Sequence, residues 1–245
     1  MPPPSEKTAR ESRVNTCVGT NVKRDVRVGI AALIFDLDGT LVDSEAPGLD
    51  VLHEMAAALG APWARHEMHA QFGGVPMAQC IRVIAQHLPA TQPALDEAAF
   101  LQQLRANMAA RFRQGLNEIP GATALLNHLQ ARQTPFAVAT NGPREKAEIT
   151  LGITGLLPLL GERLFCAPEV GSFKPEPGLF LHAAAALGCA PGTCGVVEDS
   201  LPGLQAGLAA GMHVFSLHPP EGLPPEVAQR VHFIEDLAQL QAWLG

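Results

Sequence analysis

The sequence predicts an α/β fold: a Rossmann-like, three-layer core in which a parallel sheet carries helices on both faces. Three observations lead there. Short apolar runs rich in β-branched residues recur along the chain, and each stops at a turn or a polar cluster. From Phe136 onward these runs alternate with segments of helical periodicity, which is how parallel strands and their crossover helices read in sequence. A chain of 245 residues, 47% of them hydrophobic and 17% charged, is also long enough and apolar enough to bury a sizeable core.

Taken in order, residues 1–28 lack any such pattern. They are rich in Pro, Lys and Arg without the apolar stretch of a secretory signal, and read as a disordered extension. The first strand is AALIFD, Ala31 to Asp36. Residues 44–118 then show no strand-like run; LDVLHEMAAALG, MAQCIRVIAQHL and DEAAFLQQLRANMAARFRQG place apolar residues at helical spacing instead. We read this as a small helical domain inserted into a core formed by 29–43 and 119–245. Its crossings, near VDSEAPG and GLNEIPG, both carry Pro and Gly, which suits a lid hinged at two adjacent points. After the insertion come a helix (GATALLNHLQARQ) and strands at FAVATNG (136–142) and RLFCAP (163–168). A helix stopped by Gly188 follows, then a strand at GVVEDS (195–200), a Gly-rich helix (PGLQAGLAAGM), and strands at HVFSL (213–217) and HFIED (232–236).

Composition narrows the function classes. A net charge of −7 argues against a general nucleic-acid binder, which shows a basic face. The five cysteines, at 17, 80, 166, 189 and 194, are odd in number, and CAPGTC is not a CxxC pair, so reduced thiols in a cytoplasmic protein are expected rather than a zinc site. No apolar run is long enough for a membrane span. The expected assembly is a monomer or weak dimer.

Four elements fall at predicted C-terminal strand ends, where open α/β sheets bind ligands. They are DLDGT with Asp36 and Asp38, ATNG with Thr140, Asn141 and Gly142, Lys174 in GSFKPEPG, and VVEDS with Glu198 and Asp199. Singly, each has an ordinary explanation: a capped turn, loop chemistry, a surface charge. Together they make one chemistry. Two carboxylates one residue apart repel unless a cation offsets them, and Mg2+ takes hard oxygen ligands of this kind. An ionised Asp is also a nucleophile toward phosphorus, and a second carboxyl can pass a proton to a leaving alkoxide and take one from water. Thr140, Asn141 and Lys174 would hold non-bridging phosphate oxygens.

This set resembles the haloacid dehalogenase superfamily of phosphohydrolases, over everything after about residue 30. The resemblance implies Asp36 as nucleophile and Asp38 as acid/base. It also implies Mg2+ held by Asp36, the backbone carbonyl of Asp38, Asp199 and Glu198, with residues 44–118 as the small helical cap. Dehalogenases proper lack an acid at the position of Asp38, so phosphoryl transfer is favoured. A β-phosphoglucomutase is the rival, but such mutases carry a hinge His where this chain has Gly48, and a Lys and an Arg where FGGVPM places Gly73 and Met77. TNGPREK, ERLFCAPEVGSFKPEPGLFLHAA and GVVEDSLPGLQAGLAAGM look similar to bacterial sugar-phosphate phosphatases. That implies a small sugar-phosphate or sugar-acid phosphate substrate such as 6-phosphogluconate, with a phosphoglycolate-type ester as the alternative.

Weaker features have plain structural readings. Arg65, His66, Gln71, Arg82 and His87 in the insertion read as solvated side chains on helix faces. His66 and His69 have a spacing that metals use but lack a third ligand nearby in sequence. Arg144 and Lys146 can meet an anionic substrate tail, cap a helix or sit in solvent. Trp63 and Trp243 read as packing residues, and the small residues after Asp199 as allowing close helix–sheet contact.

Overall fold

A computed structural model describes residues 29–73, 75–217 and 219–244. The extension expected over 1–28, and Cys17 with it, lie outside the described residues. Strands β1 (Ala32–Phe35), β2 (Phe136–Thr140), β3 (Leu164–Cys166), β4 (Cys194–Glu198), β5 (His213–Ser216) and β6 (His232–Phe233) form one sheet in the order β3-β2-β1-β4-β5-β6. Every pairing is parallel. All six fall on the strands expected from sequence, each trimmed at its C-terminal end, where the chain leaves the ladder.

The helices are α1 (Glu45–Ala58), α2 (Arg65–Phe72), α3 (Met77–His87), α4 (Glu97–Phe112), α5 (Ala122–Ala131), α6 (Arg144–Ile153), α7 (Leu157–Leu160), α8 (Ala167–Val170), α9 (Gly178–Ala186), α10 (Leu201–Ala209), α11 (Pro225–Ala228) and α12 (Leu237–Leu244). None is long and apolar enough to cross a membrane. α6 has no clear signature in the sequence, because REKAEITLGI has a polar first turn and a mixed apolar face. Its stability comes from packing Ala147, Thr150 and Leu151 into the interior.

β1 shows why the sheet lies at the centre. Its four residues are fully buried and alternate between faces: Leu33 and Phe35 join the core shared with α1–α5, while Ala32 and Ile34 join the core under α9 and α10. A strand covered on both sides reads as a continuous apolar run, which is what ALIF is. The Gly-rich α10 sits close to the sheet; a methyl on Gly207 would lie 2.9 Å from Val214 Cγ2 and 3.3 Å from Val196 Cγ1. Small residues there serve packing.

Between β1 and α5 the described chain contains helices α1–α4 and no strand. The two connecting segments run side by side. Ile119 N–H donates to Leu41 O at 2.9 Å, Asp43 N–H donates to Asn117 O at 3.0 Å, and Val42 and Glu118 form an antiparallel bridge. Within the helical segment, Asp50 on α1 receives Arg65 Nε at 2.6 Å and Nη2 at 2.8 Å and meets His69 Nε2 at 2.7 Å, and Arg111 on α4 reaches Glu54 at 2.8 Å. Arg65 and His69 thus join α2 to α1. His87 Nδ1 meets Val83 O at 2.8 Å, and Trp63 packs between Phe72 and His87 at ring-centroid distances of 5.5 and 5.0 Å.

Phe35 is the larger of the two β1 side chains that face the core shared with α1–α5. Truncation to Ala is expected to cost about 3–5 kcal/mol, read as a lower midpoint in urea with the far-ultraviolet circular dichroism of the native baseline unchanged.

Candidate active site

Parallel strands put all their C-terminal ends on one edge. The chain runs β1 to β2 to β3 outward on one side, then returns to place β4 against the other side of β1. The switch point therefore falls between β1 and β4, the place where such sheets open a crevice. Asp36 and Asp38 follow β1, and Glu198 and Asp199 end β4. The ladder extends to the first aspartate, since Asp36 N–H donates to Val197 O at 2.9 Å.

At the centre is Lys174, its side chain only 2% exposed. Its Nζ makes a short contact to Asp36 Oδ1 and lies 2.7 Å from Glu198 Oε1, with the Phe180 ring centroid 4.8 Å away. The loop bearing it is held by Asn141: Lys174 N–H donates to Asn141 Oδ1 at 2.9 Å, and Asn141 Nδ2 donates to Lys174 O at 3.3 Å. The Asn141 side-chain amide thus pairs with the backbone of Lys174, because a turn amide after β2 faces the adjacent loop beyond β3. Thr140 is buried, and its Oγ1 accepts the Gly142 N–H at 3.0 Å, which leaves the hydroxyl proton to donate elsewhere.

Glu198 is fully buried. Its Oε2 accepts Asp199 N–H, Ser200 N–H and Ser200 Oγ–H at 3.0, 2.9 and 2.9 Å, at the start of α10, where a negative charge is favoured. A methyl on Gly203 would fall on this carboxylate, and one on Gly39, whose φ is +83°, would fall on that of Asp199. Thr40 Oγ1 donates to Asp199 Oδ1 at 3.0 Å. DLDGT therefore ends in a glycine and a threonine because both approach the carboxylates of β4.

Asp36, Glu198 and Asp199 offer oxygens within 4.8 Å of one another. With Lys174 they form a buried set of three carboxylates and one ammonium, two negative charges in excess if all ionise. Burial pushes the Asp36 carboxyl up to about 7 despite the pull of Lys174, and burial with the charges of Glu198 and Asp36 pushes Asp199 well above the carboxylate range. A hard divalent cation fits this set: it supplies the missing two charges to oxygen donors. Glu198 already accepts from Lys174 and three groups of 199–200, so Asp36 and Asp199 have the greater free acceptor capacity.

Asp38 behaves differently. Its side chain lies outside the three-carboxylate group. Oδ1 accepts a short hydrogen bond from Ser44 Oγ, and Oδ2 accepts from Lys146 Nζ at 2.8 Å. Burial raises its pKa, but the charge and hydrogen bond of Lys146, the Ser44 hydroxyl and the Lys174 charge outweigh that, and the net shift is downward. Ser44 carried no signal in the sequence, and Lys146 was one of two unassigned cations. Its neighbour Arg144 turns away, donating to Glu169 at 2.6 and 2.7 Å and to Leu164 O at 2.9 Å.

Carboxylates gathered at a switch point around a buried lysine mark the molecule as an α/β protein with an acidic site beside the ends of its central strands. The model of the haloacid dehalogenase-like hydrolases matches residues 30–211, and the chain belongs to that family. It is 34% identical to 6-phosphogluconate phosphatase of Escherichia coli K12 over 86% of this chain and 93% of that protein. It is 35% identical to hexitol phosphatase A of the same organism, over 83% and 91%. A haloacid dehalogenase family hydrolase from Deinococcus radiodurans, solved with phosphate and sodium, superposes with a TM-score of 0.72 at 32% identity, covering 88% of this chain and 95% of that one. These relatives put the chain among the phosphoric monoester hydrolases.

Two consequences are measurable. Gly203→Ala drives Glu198 off Lys174, and breaking a buried pair in this way is expected to cost about 3 kcal/mol or more in chemical denaturation, although Ala in an open helix would stabilise. The second concerns pH. The Asp36 carboxyl, raised by folding, lends stability below its unfolded value of about 3.8 that is lost as pH rises through about 7. Since Mg2+ competes with protons for these carboxylates, the rise in Tm on adding it should be small at about pH 5 and larger at about pH 8. An equal rise at both would count against a metal at these acids.

Proposed function

We propose that this chain is a Mg2+-dependent phosphatase of a small sugar-phosphate or sugar-acid phosphate ester, working through an aspartyl-phosphate on Asp36. The observation that carries the reading is the separation of the two aspartates: Asp36 sits with Lys174 and the β4 acids, and Asp38 is held apart by Ser44 and Lys146. One carboxylate is placed for nucleophilic attack and the other for proton traffic.

In this reading Asp38, ionised in the free site, takes up a proton as the negative phosphate ester binds beside it; an Asp36 oxygen then attacks phosphorus, the ester P–O bond breaks, and Asp38 passes that proton to the departing alkoxide. Water then attacks the phosphoryl group, passing a proton to Asp38, and the Asp36–phosphorus bond breaks to release phosphate and restore both carboxyls. The Thr140 hydroxyl and Lys174 Nζ hold non-bridging oxygens, and the flanking backbone at Asn141 and Gly142 borders them. Mg2+ would be held by Asp36, Asp199 and the Asp38 carbonyl, with Glu198 behind them, and supplies charge neutralisation for the phosphoryl group.

Residues 44–118 act as a lid over the core of 29–43 and 119–245. The paired crossings at Leu41–Asp43 and Asn117–Ile119 support this, since two hydrogen-bonded connectors flex as one hinge. The relatives bear the names of enzymes for a sugar-acid phosphate and a hexitol phosphate, which share a polyol chain ending in a phosphate monoester. Hydrolysis is favoured over mutase action by Gly48. A Cβ there would meet Met108 Cε at 2.8 Å and Met77 Cε at 3.8 Å, so the methionine tips pack over a position that offers no imidazole.

A phosphate-release panel over 6-phosphogluconate, hexitol phosphates, hexose phosphates, phosphoglycolate and nucleotides tests the class, with a chelator control. The expected result is turnover of the polyol esters that EDTA abolishes and that Asp36→Asn reduces roughly a thousandfold or more, with an unchanged circular dichroism spectrum. Activity surviving in Asp36→Asn would remove the nucleophile assignment. Conversion of β-glucose 1-phosphate to glucose 6-phosphate would restore the mutase.

A further inference from the structure

The described residues contain only two lysines, Lys146 and Lys174; every other basic side chain apart from histidine is an arginine. Both lysines are found on the paired aspartates. Lys174 Nζ contacts Asp36, and Lys146 Nζ contacts Asp38 Oδ2 at 2.8 Å. The arginines instead serve the surface and the packing: Arg65 on Asp50, Arg111 on Glu54, Arg144 on Glu169, and Arg163 on the carbonyls of Leu159 and Leu160. A compact ammonium on a flexible stem can share one carboxylate oxygen and leave its partner oxygen and the outer lone pairs open, whereas a guanidinium fork tends to engage both.

The route of the Lys146 stem is specific. It rises from the first turn of α6 past Gly142, where an added Cβ would come within 3.8 Å of Lys146 Cδ, 3.3 Å of Thr140 Oγ1 and 3.9 Å of Asp38 Oδ2. Gly142 therefore leaves the space in which Thr140, Lys146 and Asp38 converge. On the far side, Ser44 Oγ holds the other Asp38 oxygen from the segment that opens into α1. Each Asp38 oxygen thus has one donor, from two elements far apart in the chain, and the carboxyl plane is set by both.

We propose that Lys146 is a positioning residue that fixes the Asp38 carboxyl for proton transfer to the leaving group. The inference rests on the phosphatase reading above and adds a residue to it. Lys146 acts through Asp38, so its removal matters in proportion to how much the leaving oxygen needs a proton. An alkoxide leaving group needs one, whereas a p-nitrophenolate departs readily without it. A cation that only gripped the phosphoryl group would matter to both alike.

The test compares kcat/KM, which reports the steps up to departure of the leaving group, for an alkyl ester (glucitol 6-phosphate) and for p-nitrophenyl phosphate. For Lys146→Met, the alkyl value should fall at least about tenfold further than the aryl value, and Lys146→Arg should recover part of the difference. Lys146 is one-third exposed, so Tm should stay close to that of the parent; should Lys146→Met fail to fold, Lys146→Arg and Lys146→Gln carry the same comparison. Equal losses on both esters, or none, would overturn the role of Lys146 alone. A parent enzyme that releases phosphate from neither ester would overturn the phosphatase reading and this inference together.

Discussion

Lys174 carries the one ammonium placed between two carboxylates that water scarcely reaches, and the arrangement of the site follows from that constraint. Burying such a group is unfavourable unless its partners are close and every remaining donor or acceptor is satisfied. Its partners come from opposite sides of the switch point: Asp36 from the end of β1 and Glu198 from the end of β4. Asn141 grips its backbone from the end of β2, and Phe180 of α9 lies beside its ammonium. Four segments are thereby tied to one residue, and the sheet order is what brings them within reach.

The same constraint explains the small residues around it. Glu198 cannot lie against the start of α10 unless Gly203 has no side chain, and Asp199 cannot approach the DLDGT turn unless Gly39 has none. The site is dense with like charge, and the protein keeps its two neighbouring aspartates from competing by giving them separate environments. Asp36 lies among carboxylates and Lys174, while Asp38 is drawn off by Lys146 and Ser44. Ser44 stands where the chain leaves for α1, so the acid/base candidate is in contact with the connector to the helical segment as well as with the core.

Much of this was legible in the residues. The six strands could be read because each is an unbroken apolar run ending in a polar turn, and ALIF announces its two covered faces by having no alternation at all. Asp36, Asp38, Glu198 and Asp199 stand out in the sequence because charged residues next to strand ends have no packing role, whereas Lys174 lies past α8 and only the fold brings it to Asp36 and Glu198. Short helices such as α7, α8 and α11 were not legible, since four residues hold no periodicity. The grip of the Asn141 amide on the Lys174 backbone was not legible, since it joins two loops 33 positions apart. Arg144 and Lys146, two residues apart on one helix turn, were indistinguishable by composition, yet one braces α8 and the other reaches Asp38.

By itself the sequence determined the elements and the chemistry at their ends, because strand termini, turns and their polar residues are encoded within a few neighbouring positions. Only the tertiary structure decided which cation meets which anion. Lys174 and Asp36 lie 138 positions apart, and Lys146 and Asp38 lie 108 apart. Pairings over such distances are set by strand order and by the space that glycines leave at the crevice, and no local pattern records them.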